Sequence, residues 1–170
     1  MESKLIKVSA DELKDNVFKL IGADWMLITA GNVNSYNTMT ASWGAMGVLW
    51  NKNVCFCFIR PARHTRLFVE KNKSFTLSFF DEKYRNALNL CGTISGRDSD
   101  KAKEAGITPV ESPSGSVCFS EARLVIECKK IYFQDIDYAN FLDESIGANY
   151  PKKDYHRMYV GEITGCYVKK

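Results

Sequence analysis

Three polar clusters interrupt otherwise apolar stretches of this 170-residue chain, and each holds residue types that can do chemistry. The first is Asn37-Thr38-Met39-Thr40-Ala41-Ser42-Trp43-Gly44. In an extended chain Thr38, Thr40 and Ser42 point the same way, giving a row of hydroxyls on one face. Such a row, with backbone amides beside a glycine, can hold a phosphate or the polar edge of a ligand. It is equally the pattern of a surface strand's wet face, since Thr is a good strand former. The second cluster is Arg60-Pro61-Ala62-Arg63-His64-Thr65-Arg66, placed after an apolar run and before a helical one. Guanidinium forks match phosphate oxygens, and a helix start offers free amides. A solvated basic loop has the same composition, and Thr65 alone can be a helix cap. The third cluster, Ser95-Gly96-Arg97-Asp98-Ser99-Asp100-Lys101, reads by itself as an exposed glycine turn.

The elements that must position these clusters are short. Ser9-Ala10-Asp11-Glu12 is a capping box, and Leu13, Val17, Leu20 and Ile21 follow at helical spacing up to Gly22. Strands are expected at Trp25–Ala30, Thr38–Leu49, Asn53–Ile59, Ser74–Phe80, Val117–Phe119, Ala122–Phe133 and His156–Val168. Gly44 and Gly47 inside one of them mark a bulge or a close backbone approach. Short helices are expected at Thr65–Lys71, Asp81–Leu90, Lys101–Ala105 and Tyr138–Ile146, with a loop over Gly92–Asp100. Helices do not alternate with strands, which argues against a doubly wound parallel sheet. The pattern points to a mainly β fold with short helices, a small antiparallel barrel forming one domain over residues 1–170.

Composition narrows the function. A net charge of +3 is too mild for a nucleic-acid footprint. With 45% hydrophobic and 25% charged residues, the chain is neither disordered nor fibrous. In the uncharged run Trp25–Asn51, hydrocarbon would have to desolvate Asn32, Asn34, Ser35, Asn37, Thr38, Thr40 and Ser42. With no apolar leader at Met1–Lys7 either, a cytoplasmic protein without membrane contact is expected. Six cysteines lack any Cys-x-x-Cys spacing and two histidines lie far from them, so no metal site is expected. Cys55 and Cys57 alternate on one strand face and read as small buried hydrophobes, with a redox or ligand-contacting thiol as the alternative. No Gly-x-Gly-x-x-Gly, Gly-x-x-x-x-Gly-Lys or Gly-x-Ser-x-Gly pattern occurs, leaving Rossmann, P-loop and α/β-hydrolase readings without support.

Taken in order, the clusters resemble the flavoredoxin and flavin reductase-like proteins, which bind FMN in a split β-barrel. The matching residues are Asn37-x-Met39-Thr40-x-Ser42-Trp43-Gly44, Arg60-Pro61-x-Arg63-x-Thr65 and Phe75-Thr76-Leu77-Ser78-Phe79-Phe80. Ser95-Gly96-Arg97-Asp98-x-Asp100-Lys101 and His156-Arg157-Met158-Tyr159-Val160-Gly161-Glu162-Ile163 complete the set. The resemblance runs from about Asp24 to Ile163.

It implies that Asn37, Thr40, Ser42 and Trp43 line a flavin, and that Arg63 and Thr65 hold the FMN phosphate. It further implies that Lys101 reaches the cofactor from its loop and that His156 lies beside the ring system or a substrate pocket. The implied activity is an FMN-dependent oxidoreductase, passing electrons from a donor such as NAD(P)H to free flavin or an acceptor protein. A homodimer with the flavin near the subunit interface is also implied. Hydride transfer to flavin needs no protein acid or base, so no catalytic residue is assigned. Reductases that take hydride directly from a nicotinamide often carry Gly-Asp-His where this chain has Asp154-Tyr155-His156. The chain stops at Lys170 soon after the last expected strand, so an open flavin face is expected. The alternatives are a flavin or haem carrier or sensor without turnover and, below it, pyridoxamine-phosphate-oxidase-like chemistry on a related barrel.

Overall fold

The computed structural model describes residues 5–170. The strands are β1 (Leu5–Val8), β2 (Met26–Asn32), β3 (Ser35–Ala41), β4 (Gly44–Leu49) and β5 (Lys52–Ile59). They continue as β6 (Ser74–Phe79), β7 (Pro109–Glu111), β8 (Val117–Phe119), β9 (Leu124–Asp135) and β10 (Arg157–Lys169). Three α-helices intervene: α1 (Thr65–Lys71), α2 (Arg85–Thr93) and α3 (Lys101–Ala105). The main sheet runs β3-β2-β6-β9-β10-β5-β4, with β1 also on β10, and every pairing is antiparallel. β7 and β8 form a separate hairpin.

β3 and β4 stand at opposite ends of this order, yet only Ser42 and Trp43 separate them in the chain. The sheet must therefore curl until its two edges meet at that corner, which is the closure of a split barrel. Gly44 makes the corner possible: a Cβ there would lie 2.9 Å from the Phe56 carbonyl oxygen. Bulges between Val160 and Gly161, and between Ile163 and Gly165, supply curvature along β10.

Two apolar clusters hold the layers. Inside the barrel, Met26 and Ile28 meet Cys55, Cys57, Phe75, Leu77, Ile126 and Tyr159. On the outside, Leu27, Val125 and Tyr167 pack against Leu88 and Cys91 of α2, Ala102 of α3 and Phe119 of the hairpin. β2 is therefore covered on both faces, which is why it reads as a continuous apolar run. All six cysteines are free and buried, and Cys55 and Cys57 share the interior face as their alternation predicts. Among the described residues no helix is long and apolar enough to cross a membrane.

Thr65–Lys71, Lys101–Ala105 and Val117–Phe119 fall where the sequence places them. Elsewhere the structure differs. The capping box forms, with Ser9 N–H donating to Glu12 Oε2 at 2.8 Å, but only a 3-10 turn over Ala10–Glu12 follows. Leu13 is already extended and packs on the barrel core, so tertiary burial overrides the helical spacing there, and the helical turns begin only at Val17. A stretch of π-helix, Lys19–Asp24, then leads into β2. Thr38–Leu49 is two strands rather than one, broken at the barrel corner. Tyr138–Ile146 becomes two 3-10 segments, Tyr138–Asn140 and Glu144–Asn149. α2 extends through Gly92 to Thr93, so the expected loop starts later.

Gly161 packs against the core more tightly than its place in a strand suggests. A Cβ there would sit 2.7 Å from both Cys128 Cβ and Phe75 Cζ, each fixed in the barrel interior. Gly161→Ala should destabilise the fold by about 1–3 kcal/mol through overpacking. Chemical denaturation checks this, and an unchanged midpoint would show that the interior yields at this point.

Candidate functional site

α2 ends in free backbone carbonyls, as every helix does. Two cations from elsewhere in the chain bind them. Arg63, after β5, donates from Nη1 to the Gly92 carbonyl at 2.6 Å. Lys101, the first residue of α3, donates from Nζ to the Cys91 carbonyl at 3.1 Å and to the Thr38 carbonyl at 2.9 Å. Neither forms an ion pair with a carboxylate among the described residues. Lys101 is only 6% exposed, a burial that lysine rarely reaches without a partner. Burial is the main cause lowering its pKa, and Arg63 adds to it, opposed by Cys91. Arg63 is lowered from its usual value by burial and by Arg60. The helix end favours both charges, since its dipole is negative there.

The three arginines of the second cluster diverge. Arg66 pairs with Glu70 one turn along α1, at 2.7 Å, leaving the site. Arg60 reaches Asp154 at 2.8 Å and the Asn149 carbonyl at 2.8 Å, and its guanidinium lies 5.0 Å from the centre of the Tyr150 ring. Arg63 alone keeps its charge without an acidic partner.

Arg60 and Arg63 border a cavity of about 220 Å³ with Met39, Thr40, Ala41, Ser42, Trp43, Phe58 and His156. Five of the eight expected site residues thus converge: Thr40, Ser42, Trp43, Arg63 and His156. Thr40 donates to the Leu88 carbonyl of α2. Trp43 is 44% exposed at the barrel corner, with its ring 5.1 Å from the His156 imidazole. Ser42, Trp43 and Phe58 also border a larger, more apolar groove of about 700 Å³ that reaches Ile21 and Met46.

Asn37 and Lys101 line a second, polar cavity of about 250 Å³ with Tyr36, Thr38, Gly96, Ser99 and Asp100. The two cavities lie along consecutive residues of β3, with Thr38 bordering one and Met39 the other. Thr65 borders neither. It is 1% exposed and donates to Asn37 Oδ1 at 2.7 Å, so it bears on the site through Asn37. The first threonine of the hydroxyl row is also internal: Thr38 Oγ1 lies 2.8 Å from Thr29 Oγ1. Gly96 packs directly on the Asn37 amide, leaving no room for a Cβ, and so brings the third cluster to the site. Phe58, Arg60 and Met39 complete the walls. Arg60 stands in the same cluster as Arg63, but its partners Asn149 and Asp154 are 89 and 94 residues away in sequence and gave no local signal.

His156 is 8% exposed, and its Nδ1 lies 2.9 Å from the Tyr150 hydroxyl. Burial, then the positive Arg60, push its pKa down to about 4, against a smaller opposing pull from Asp154. Among the described residues no group of three or more His, Cys, Asp or Glu side chains is placed to hold a metal.

The comparisons with known proteins agree with this architecture. The family described as "Flavin reductase like domain" matches residues 18–170. An FMN-binding domain of a flavin reductases-like enzyme from Shewanella baltica superposes with a TM-score of 0.72 at 15% identity, covering 99% of this chain and 79% of that one. Flavoredoxin of Desulfovibrio vulgaris (Miyazaki F) gives 0.69 at 20% identity, with 97% and 78% covered. An NADH:FAD oxidoreductase of Streptomyces globisporus gives 0.65 at 12% identity, with 84% and 73% covered. At these identities the likeness establishes the split-barrel fold. No curated protein matches the chain.

The depressed pKa of His156 has a consequence for stability. The folded protein binds this proton only near pH 4, whereas the unfolded chain binds it near ~6.5. Unfolding therefore takes up a proton between those values, and stability falls as pH drops through that window. The loss is on the order of 3 kcal/mol at most, at about 1.4 kcal/mol per unit. His156→Gln should flatten the dependence between pH 6.5 and 4, measured by denaturant titration at several pH values. Parallel curves for the two proteins would contradict the assignment.

Proposed function

This chain belongs to the flavin reductase-like family, and from that premise we propose that it is an FMN-dependent oxidoreductase. In this reading it passes electrons from a reduced donor, NADH or NADPH, to free flavin or an acceptor protein. The single observation that carries the reading is the pair of cations, Arg63 and Lys101, fixed on the end of α2 without acidic partners. A buried lysine beside a half-buried arginine calls for an anion, and a phosphate monoester matches both charges.

The residues present fit such a cofactor. Arg63 and Lys101 would hold the phosphate, with Asn37 kept in place by Thr65. Trp43, Phe58 and Met39 offer an apolar wall for a flat ring system, and Thr40, Ser42 and His156 offer polar edges. Bound there, the flavin supplies the redox chemistry itself. The chain contributes charge neutralisation, an orienting wall and a half-enclosed cavity that limits water.

A homodimer is part of the same proposal. Val48 and Trp50 are exposed at the end of edge strand β4, and Trp50 lies 5.8 Å from the exposed Tyr132 ring of β9. An apolar patch of this kind on a sheet edge suits a partner surface.

FMN titrated into the apoprotein should bind, with quenching of its fluorescence. Arg63→Ala should weaken that binding by about 1.5–3 kcal/mol, roughly 10- to 150-fold, because a charge-assisted contact is lost. Lys101→Met should act in the same direction. Unchanged affinity in both variants would remove the phosphate assignment. Anaerobic addition of NADH or NADPH to the loaded protein should bleach the flavin absorbance and sustain turnover with excess FMN. Bound flavin without turnover from either donor would favour a carrier.

A further inference from the structure

The segment between β9 and β10 folds into an aromatic knot beside the first cavity. Tyr150 sits 5.0 Å from Tyr155, 6.0 Å from Phe141 and 5.5 Å from His156, ring centre to ring centre. Its hydroxyl meets His156 Nδ1 at 2.9 Å, while the imidazole itself borders the cavity. Tyr150 does not border that cavity. The ring edge bearing Nδ1 is therefore turned away from the cavity, and the edge bearing Nε2 is the one left to face it.

Which atom carries the ring proton follows from the surroundings of the phenol. Tyr150 is 6% exposed, and among the described residues its hydroxyl has no hydrogen-bond partner other than His156 Nδ1. The Arg60 guanidinium over its ring draws the phenol toward giving up its proton, while burial and Asp154 keep it un-ionised. A buried neutral phenol has one hydrogen to donate, and among the described residues Nδ1 is the only acceptor bonded to it. The neutral imidazole then has its proton on Nε2.

We propose that Tyr150 is a positioning residue that holds His156 as the neutral Nε2–H tautomer, so that the cavity receives a hydrogen-bond donor rather than a base. The chemical partner such a donor recognises is a neutral carbonyl oxygen or ring nitrogen on a bound flat heteroaromatic. This rests on the flavin reading for the identity of the ligand, but not for the tautomer. The charged and titratable groups around His156 are Arg60 and Arg63 at the end of β5, and Asp154 and Tyr150 on the segment before β10. Trp43 and Phe58 supply the rest of the contact, at 5.1 and 6.5 Å.

Nitrogen-15 NMR of the histidine rings in the ligand-free protein tests the tautomer directly. At pH 7, His156 should show an unprotonated Nδ1 resonance and a protonated Nε2 resonance, well separated. Tyr150→Phe should collapse that separation toward the average of the two tautomers, whereas a merely structural tyrosine would leave it unchanged. A protonated Nδ1 in the unmodified protein overturns the proposal, as does a Tyr150→Phe spectrum that keeps the original pattern. Should that variant not fold, the unmodified spectrum still decides. Saturating FMN should shift the His156 Nε2 proton. Binding of FMN without that shift overturns the donor role, and absence of FMN binding with the tautomer intact overturns the flavin reading instead.

Discussion

A helix end and two cations set the terms for the rest of this molecule. The last carbonyls of α2 need donors, and Arg63 and Lys101 provide them from chain segments 38 residues apart. The bonds serve both sides: the helix is capped, and two flexible side chains are fixed in one place. Neither charge is neutralised by this, because a carbonyl offers only a partial charge. Two cations are thereby concentrated at a rim where hydroxyls and aromatic rings also converge. A basic surface loop of equal charge would lack that focus, since exposed ion contacts are weak and screened.

The barrel's closure brings the other components to the same rim. β3 runs along the first cavity, turns at Ser42-Trp43, and continues as β4 on the opposite edge of the sheet. The corner places Trp43 outside the barrel, against His156 at the start of β10. Thr40, one turn of pleat earlier, bonds α2 through Leu88, and Gly92 of the same helix lies against Thr40. β3, α2 and the Arg63 bend therefore support one another. A change at any of them should disturb the cavity before it disturbs the interior of the barrel.

Much of this was legible in the residues. Alternation of Phe75, Leu77 and Phe79 marked β6, and Gly106 marked the end of α3. The order of the polar clusters identified the family and the barrel. What stayed hidden is what depends on contacts far apart in sequence. The helix expected through Gly22 starts only at Val17, because Leu13 has a core to reach that no local pattern announces. Thr38 to Leu49 looks like one strand because its two-residue corner, Ser42-Trp43, carries neither proline nor glycine. Thr65 reads as a phosphate ligand by position, yet its hydroxyl is committed to Asn37, 28 residues earlier. Tyr150 belonged to no motif, and its importance shows only once the knot folds it onto His156.

The central claim is that Arg63 and Lys101 recognise the phosphate of a flavin rather than simply capping a helix. The most direct measurement compares the dissociation constants of FMN and riboflavin for the same protein, by calorimetry at low and moderate salt. These ligands share the ring system and differ in the charged group alone. The account predicts that FMN binds at least ~100-fold more tightly, the equivalent of one or two charge-assisted hydrogen bonds at about 1.5–3 kcal/mol each, and that added salt narrows the gap. Equal affinity for the two flavins at both salt concentrations would contradict it.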